Sequence, residues 1–114
     1  MNPKPSFTDL DAAIEFAARA LDARDCGIVA DACVADQPDA VGLPTRREYR
    51  VRAIESLAAR HAASSLRSRY AGRTFPANEE TFELGGHESE LGHVHVDFVR
   101  GEDGWQFKEI WICR

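Results

Sequence analysis

Four ionisable residues near the end of the chain have types and spacing that could do chemistry. His93, His95 and Asp97 alternate along "HVHVDFV", and Glu109 follows in "WQFKEIWIC". An H-x-H pair on one strand points both imidazoles to the same side. His93 and His95 could hold a metal such as zinc, with a carboxylate and His87 completing the set. His95, Asp97 and Glu109 could instead form an acid–base cluster. Proton transfer needs a group that titrates near neutrality, and two opposed carboxylates raise one of the pair. Dehydration or isomerisation of a small apolar substrate would be the chemistry.

What must position these residues is a pair of strands, about 92–100 and 105–113, joined at "GEDGW". Two registers compete. A two-residue loop of Asp103 and Gly104 faces Glu102 with Trp105, and sets Phe98 opposite Glu109. A three-residue loop, Glu102 to Gly104, faces Gly101 with Trp105. It pairs Phe98 with Lys108, Val96 with Ile110 and Val94 with Ile112. The second register is expected because it separates apolar from polar, and a one-residue slip mixes them. Burying Val94, Val96, Phe98, Ile110 and Ile112 then contributes on the order of 10 kcal/mol of gross stabilisation. The other face carries His93, His95, Asp97 and Val99 opposite Cys113, Trp111, Glu109 and Phe107. A surface half apolar and half ionisable suits a ligand cavity or a subunit interface.

The rest of the chain supplies helices. Thr8 and Asp11 form a capping-box pattern, and Leu10, Ile14, Ala17 and Leu21 recur at helical spacing. The spacing predicts a first helix over about 8–24. Asp25 can cap a second over 26–35, and "DQPDAVGLP" reads as a loop, with a short strand near Ala40 to Leu43. Thr45 can cap a third helix over about 45–70, with Val51, Ile54, Ala58, His61 and Ser65 along one stripe. A strand over 81–85 precedes the final pair. Helices first and strands last predict one α+β domain, its helices packed on a curved antiparallel sheet that ends in a β-hairpin.

Composition sets outer bounds. The chain has 114 residues, 44% hydrophobic and 29% charged, with net charge −5. From Pro44 to Arg73 the net charge is +6, so the remainder carries −11. A basic helix on an acidic body can bind anions. Only Tyr49 and Tyr70 interleave its arginines, so a stacking platform for nucleic acid is missing. Cys26, Cys33 and Cys113 are odd in number and widely spaced, which argues for free thiols. No apolar run reaches the ~20 residues that span a bilayer. The opening "MNPKPSFTDLD" has no apolar leader core, so a cytoplasmic protein is expected. No nucleophilic triad, phosphate loop or dinucleotide fingerprint is present, and no cofactor is expected.

"AAIEFAARALDARDCGIVADACVADQPDAV" resembles the opening of the nuclear transport factor 2-like superfamily, and "VDFVRGEDGWQFKEIWIC" resembles its last hairpin. The resemblance implies a cystatin-like cone, a sheet wrapped on helices, often dimeric through the outer sheet face. It also implies a small apolar ligand in the cone's mouth, which His61, Tyr49, Tyr70, Trp111 and Phe107 would line. Members include dehydratases, isomerases, hydrolases, cyclases and non-enzymatic binding domains. No catalytic residue is carried over from the family. The first expectation is therefore a binding or dimerisation module, most simply a homodimer. The second is a small lyase or isomerase acting through His95, Asp97 and Glu109. The third is a metal protein using His93 and His95.

Overall fold

The computed structural model describes residues 4–35, 41–60, 80–85 and 93–112. His61, Tyr70, His87 and Cys113 lie outside the described residues, as does the expected run of the third helix beyond residue 60. Among the described residues, three helices, α1 (Leu10–Asp22), α2 (Cys26–Ala32) and α3 (Arg46–Arg60), precede three strands, β1 (Thr81–Gly85), β2 (Val94–Gly101) and β3 (Gly104–Ile112). The strands form an antiparallel sheet in the order β1-β2-β3. The class is α+β. Residues 41–43, expected to hold part of a short strand, are turn and bend.

Each helix has a local cause. In α1 the cap is Asp9, one residue after the expected Thr8. Its carboxylate accepts from the Ala12 N–H at 2.8 Å. Leu10 is the first helical residue and is buried, and Asp9 before it is the cap. Thr45 caps α3, its hydroxyl accepting from the Glu48 N–H at 3.1 Å. The end of α1 is a Schellman turn, with Asp25 N–H on the Ala20 carbonyl at 2.9 Å and Arg24 N–H on the Leu21 carbonyl at 3.1 Å. That turn needs a left-handed residue, and here it is Arg24, at φ 55°. A side chain is strained there and glycine is not. Arg24→Gly is therefore expected to stabilise the protein by about 1 kcal/mol. Urea unfolding checks this; an unchanged or lowered midpoint contradicts it.

The strand register corrects one expectation. The turn between β2 and β3 has two residues, Glu102 and Asp103, with Gly101 facing Gly104 and Arg100 facing Trp105. Phe98 faces Phe107, not Lys108. A bulge between Asp97 and Phe98 then absorbs one residue, so that Asp97 faces Glu109 and Val96 faces Ile110 as expected. The bulge turns Phe107 inward and leaves Lys108 exposed. Burial drives the change. Phe107 is fully buried, and its ring centroid lies 4.9 Å from Phe98, 5.8 Å from Phe16 and 5.9 Å from Phe7.

Backbone from elsewhere in the chain holds β3 in this register. Phe7 and Trp105 exchange two hydrogen bonds of 2.7 Å. Val34 and Ala35 N–H groups donate to the Phe107 and Lys108 carbonyls, both at 2.9 Å. Gly104 permits the Phe7 contact. Its φ is +121°, and an added Cβ would collide with the Phe7 carbonyl.

The apolar sheet face, with Leu84, Val94, Val96, Phe98, Phe107 and Ile110, packs on Leu10, Ile14, Val29, Ile54 and Leu57. The space left between the layers, lined in part by Leu21, Ile54, Leu84, Val96 and Phe107, is about 10 Å³. That is room for one water at most. Among the described residues, no helix is long and apolar enough to cross a membrane.

Candidate functional site

The alternation that sends Val94, Val96 and Phe98 to the helices sends His95 and Asp97 to the opposite face. There they meet one residue from each neighbouring strand. The His95 ring stacks on Trp111 of β3, with centroids 3.8 Å apart and planes 14° from parallel. His95 Nδ1 lies 2.8 Å from Oε1 of Glu83, on β1. With Glu83 ionised, Nδ1 carries the hydrogen and donates it. The Trp111 indole N–H donates to Asp97 Oδ2 at 2.9 Å. Glu83 and Asp97 are direct partners in the β1–β2 register. A network of Glu83, His95, Asp97 and Trp111 therefore crosses all three strands.

The network is unevenly covered. His95 is 6% exposed, while the Glu83 side chain is 47% exposed. Two buried atoms, His95 Nε2 and Asp97 Oδ1, make no hydrogen bond. Burial pushes the Asp97 carboxyl above its ordinary value, and the Glu83 carboxyl beside it pushes the same way. The Trp111 N–H and His95 act in the opposite direction.

That shift has a sign for stability. A carboxyl raised in the folded state holds its proton more tightly there than in the unfolded chain. Its charge weakens the fold at neutral pH, and the loss is recovered as pH falls toward about 4. Asp97→Asn keeps an acceptor for Trp111 and removes one of two adjacent like charges. It is expected to raise stability at neutral pH by about 0.5–1 kcal/mol. The gain should vanish in acid, and unfolding curves at the two pH values read this directly. A destabilised variant at neutral pH contradicts it.

Glu109 sits opposite Asp97 in register, but its carboxylate is taken by α3. Arg50 Nε reaches Oε1 at 2.5 Å and Nη2 reaches Oε2 at 3.0 Å. The Ile110 N–H also donates to Oε1, at 2.9 Å. Arg50 Nη2 donates to the Ala35 carbonyl at 2.7 Å. The pair is buried, with side chains 10% and 12% exposed. It joins α3, the stretch after α2, and the bulge of β3. Arg50 precedes Ile54 by one helical turn, so the inward stripe of α3 contained its position.

The remaining expected residues have these places. Phe107 is in the core rather than on the polar face. The Tyr49 hydroxyl accepts from the Ile112 N–H at 2.9 Å and donates to its carbonyl at 3.3 Å, closing the end of β3. His93 is exposed in the turn just before β2, not on the strand. Among the described residues, no group of three or more His, Cys, Asp or Glu side chains is placed to hold a metal ion. Cys33 is a buried free thiol, pushed up to about 12 by its burial. Glu83 is the site residue that the sequence reading missed. The signal available was the alternation of "TFELG", which places Thr81 and Glu83 on one face.

No protein-family model, no curated protein and no solved structure matches the chain.

Proposed function

We propose that this chain is a small binding or dimerisation module of the nuclear transport factor 2-like type. In this reading the sheet curves as a cone about the helices. The face bearing Glu83, His95, Asp97 and Trp111 is its contact surface. One observation carries it: ionisable and aromatic side chains are assembled on the sheet face away from the helices, while the layer between helices and sheet is filled. A space of about 10 Å³ is far below the ~300 Å³ of a small-molecule pocket. That weighs for a partner on the outer face and against a ligand inside. The simplest partner is a second copy.

Sedimentation equilibrium of wild type, Glu83→Lys and Arg52→Glu tests this. Arg52 is exposed on α3 and serves as the control. Wild type is expected to be a dimer that Glu83→Lys weakens at least about tenfold, a loss of ~1.4 kcal/mol. Arg52→Glu should leave it intact. A wild-type monomer, or equal loss in both variants, defeats the proposal.

A second reading, a small lyase or isomerase, rests on the raised Asp97 carboxyl beside a histidine. In that reading Asp97 and His95 exchange the proton, and Glu83 orients the imidazole. Its mark would be turnover lost in Asp97→Asn with assembly unchanged.

A further inference from the structure

We infer that the outer edge of β1 is a pairing site, and that β1 of a second copy docks there antiparallel, centred on Phe82. The inference rests on the reading that the partner is a second copy, and it names the strand at which that copy is seated. The phase of β1 comes from its hydrogen bonds. The Arg100 N–H donates to the Glu80 carbonyl at 2.8 Å, one step before the pairing of Thr81 with Val99. Narrow and wide pairs alternate along an antiparallel ladder. Phe82 and Leu84 therefore turn their backbone groups toward β2, and Thr81 and Glu83 turn theirs away. Among the described residues, nothing bonds the outward N–H and C=O groups of Thr81 and Glu83. Both residues are exposed.

The opposite edge of the sheet is treated differently. Along β3, Trp105 pairs with Phe7, and the Phe107 and Lys108 carbonyls accept from Val34 and Ala35. The Ile110 N–H is taken by the Glu109 carboxylate, and both backbone groups of Ile112 by the Tyr49 hydroxyl. That edge is closed by the chain itself. An open edge adds strands unless proline, lysine, a bulge or covering backbone blocks it. The sequence "TFELG" of β1 has no proline or lysine, and its pairing with β2 has no bulge.

Side chains select the register of the second copy. Centring the pair on Glu83 sets two carboxylates directly opposite, which is repulsive. Centring it on Leu84 sets Glu83 opposite Gly85, which has no side chain to meet it. Centring it on Phe82 sets Thr81 of each copy opposite Glu83 of the other. Those are the outward-facing residues, so each pair exchanges N–H···O bonds in both directions. The threonine hydroxyl donates to a carboxylate that has acceptor sites beyond the one used by His95 Nδ1. The ionisable face of one copy then continues across the seam into that of the other.

Hydrogen exchange followed by NMR tests the edge in the wild-type protein, at concentrations where sedimentation equilibrium shows single copies and where it shows dimers. The Glu83 amide should exchange at least about tenfold more slowly in the dimer, while the Phe82 and Leu84 amides are protected in both. Thr81→Pro removes an outward N–H, a change that an edge strand tolerates at its first residue. It should weaken the dimer at least about tenfold. A wild-type dimer whose Glu83 amide exchanges freely, or a Thr81→Pro dimer as tight as wild type, overturns the edge and leaves the outer face as the contact. A Glu83 amide already protected in the single copy overturns it too, because the chain would then cover its own edge. A wild type that stays monomeric overturns both readings, and points to an extended segment of another protein as the occupant.

Discussion

Glu109→Gln is expected to lower stability by roughly 3–5 kcal/mol, because it strands the buried Arg50 guanidinium without its counter-charge. A small domain has only about 5–15 kcal/mol in total, so the variant should be near the limit of folding. The argument rests on burial, since exposed ion pairs contribute little. Here both side chains are almost fully covered, and the contact is two-pronged. Breaking it also exposes other consequences. The Ala35 carbonyl depends on Arg50, and Glu109 Oε1 is an acceptor for the Ile110 N–H. Removing both charges together is a different matter. Arg50→Met with Glu109→Leu leaves no orphaned charge and should recover most of the loss. Urea unfolding of the single and double variants reads this out. A single variant within about 1 kcal/mol of wild type means that the pair is not buried as described.

Phe107→Ala is expected to lower stability by about 3–5 kcal/mol, while Lys108→Ala should change it by less than about 0.5 kcal/mol. The contrast tests the bulge. Phe107 is the residue that joins the aromatic contacts of Phe7, Phe16 and Phe98. Alanine there leaves a cavity bounded by three rings that cannot all close on it. The three-residue turn makes the opposite forecast. In that register Phe107 stands on the outer face and Lys108 rims the core. Equal, small effects for both positions would restore that register.

The apolar sheet face was legible in the sequence because alternation is a local signal. Val94, Val96, Phe98 and Ile110 had one consistent placement. The turn was not legible in the same way. Separating polar from apolar favoured three residues, but the register is decided by groups distant in sequence. Phe7 pairs with Trp105, and Val34 and Ala35 dock on the bulge. Neither contact leaves a periodic trace. Arg50 was concealed for a related reason. In a run rich in arginine, one inward member looks like its neighbours until Glu109 is known to lie beneath it. Glu83 was harder to place because the sequence between Gly85 and Val94 is too long to fix a register by counting, so its pairing with Asp97 could not be derived. The expected cluster of His95, Asp97 and Glu109 therefore named two residues of the observed network and a third that is held by Arg50.

We propose that this protein meets its partner through the ionisable sheet face and not through the interior. Native mass spectrometry of freshly purified protein checks this, because mass reports assembly and bound species together. The expected spectrum is a dimer with no added mass, shifted toward monomer in Glu83→Lys. A monomer carrying an organic adduct contradicts this, since the face would then hold no second copy.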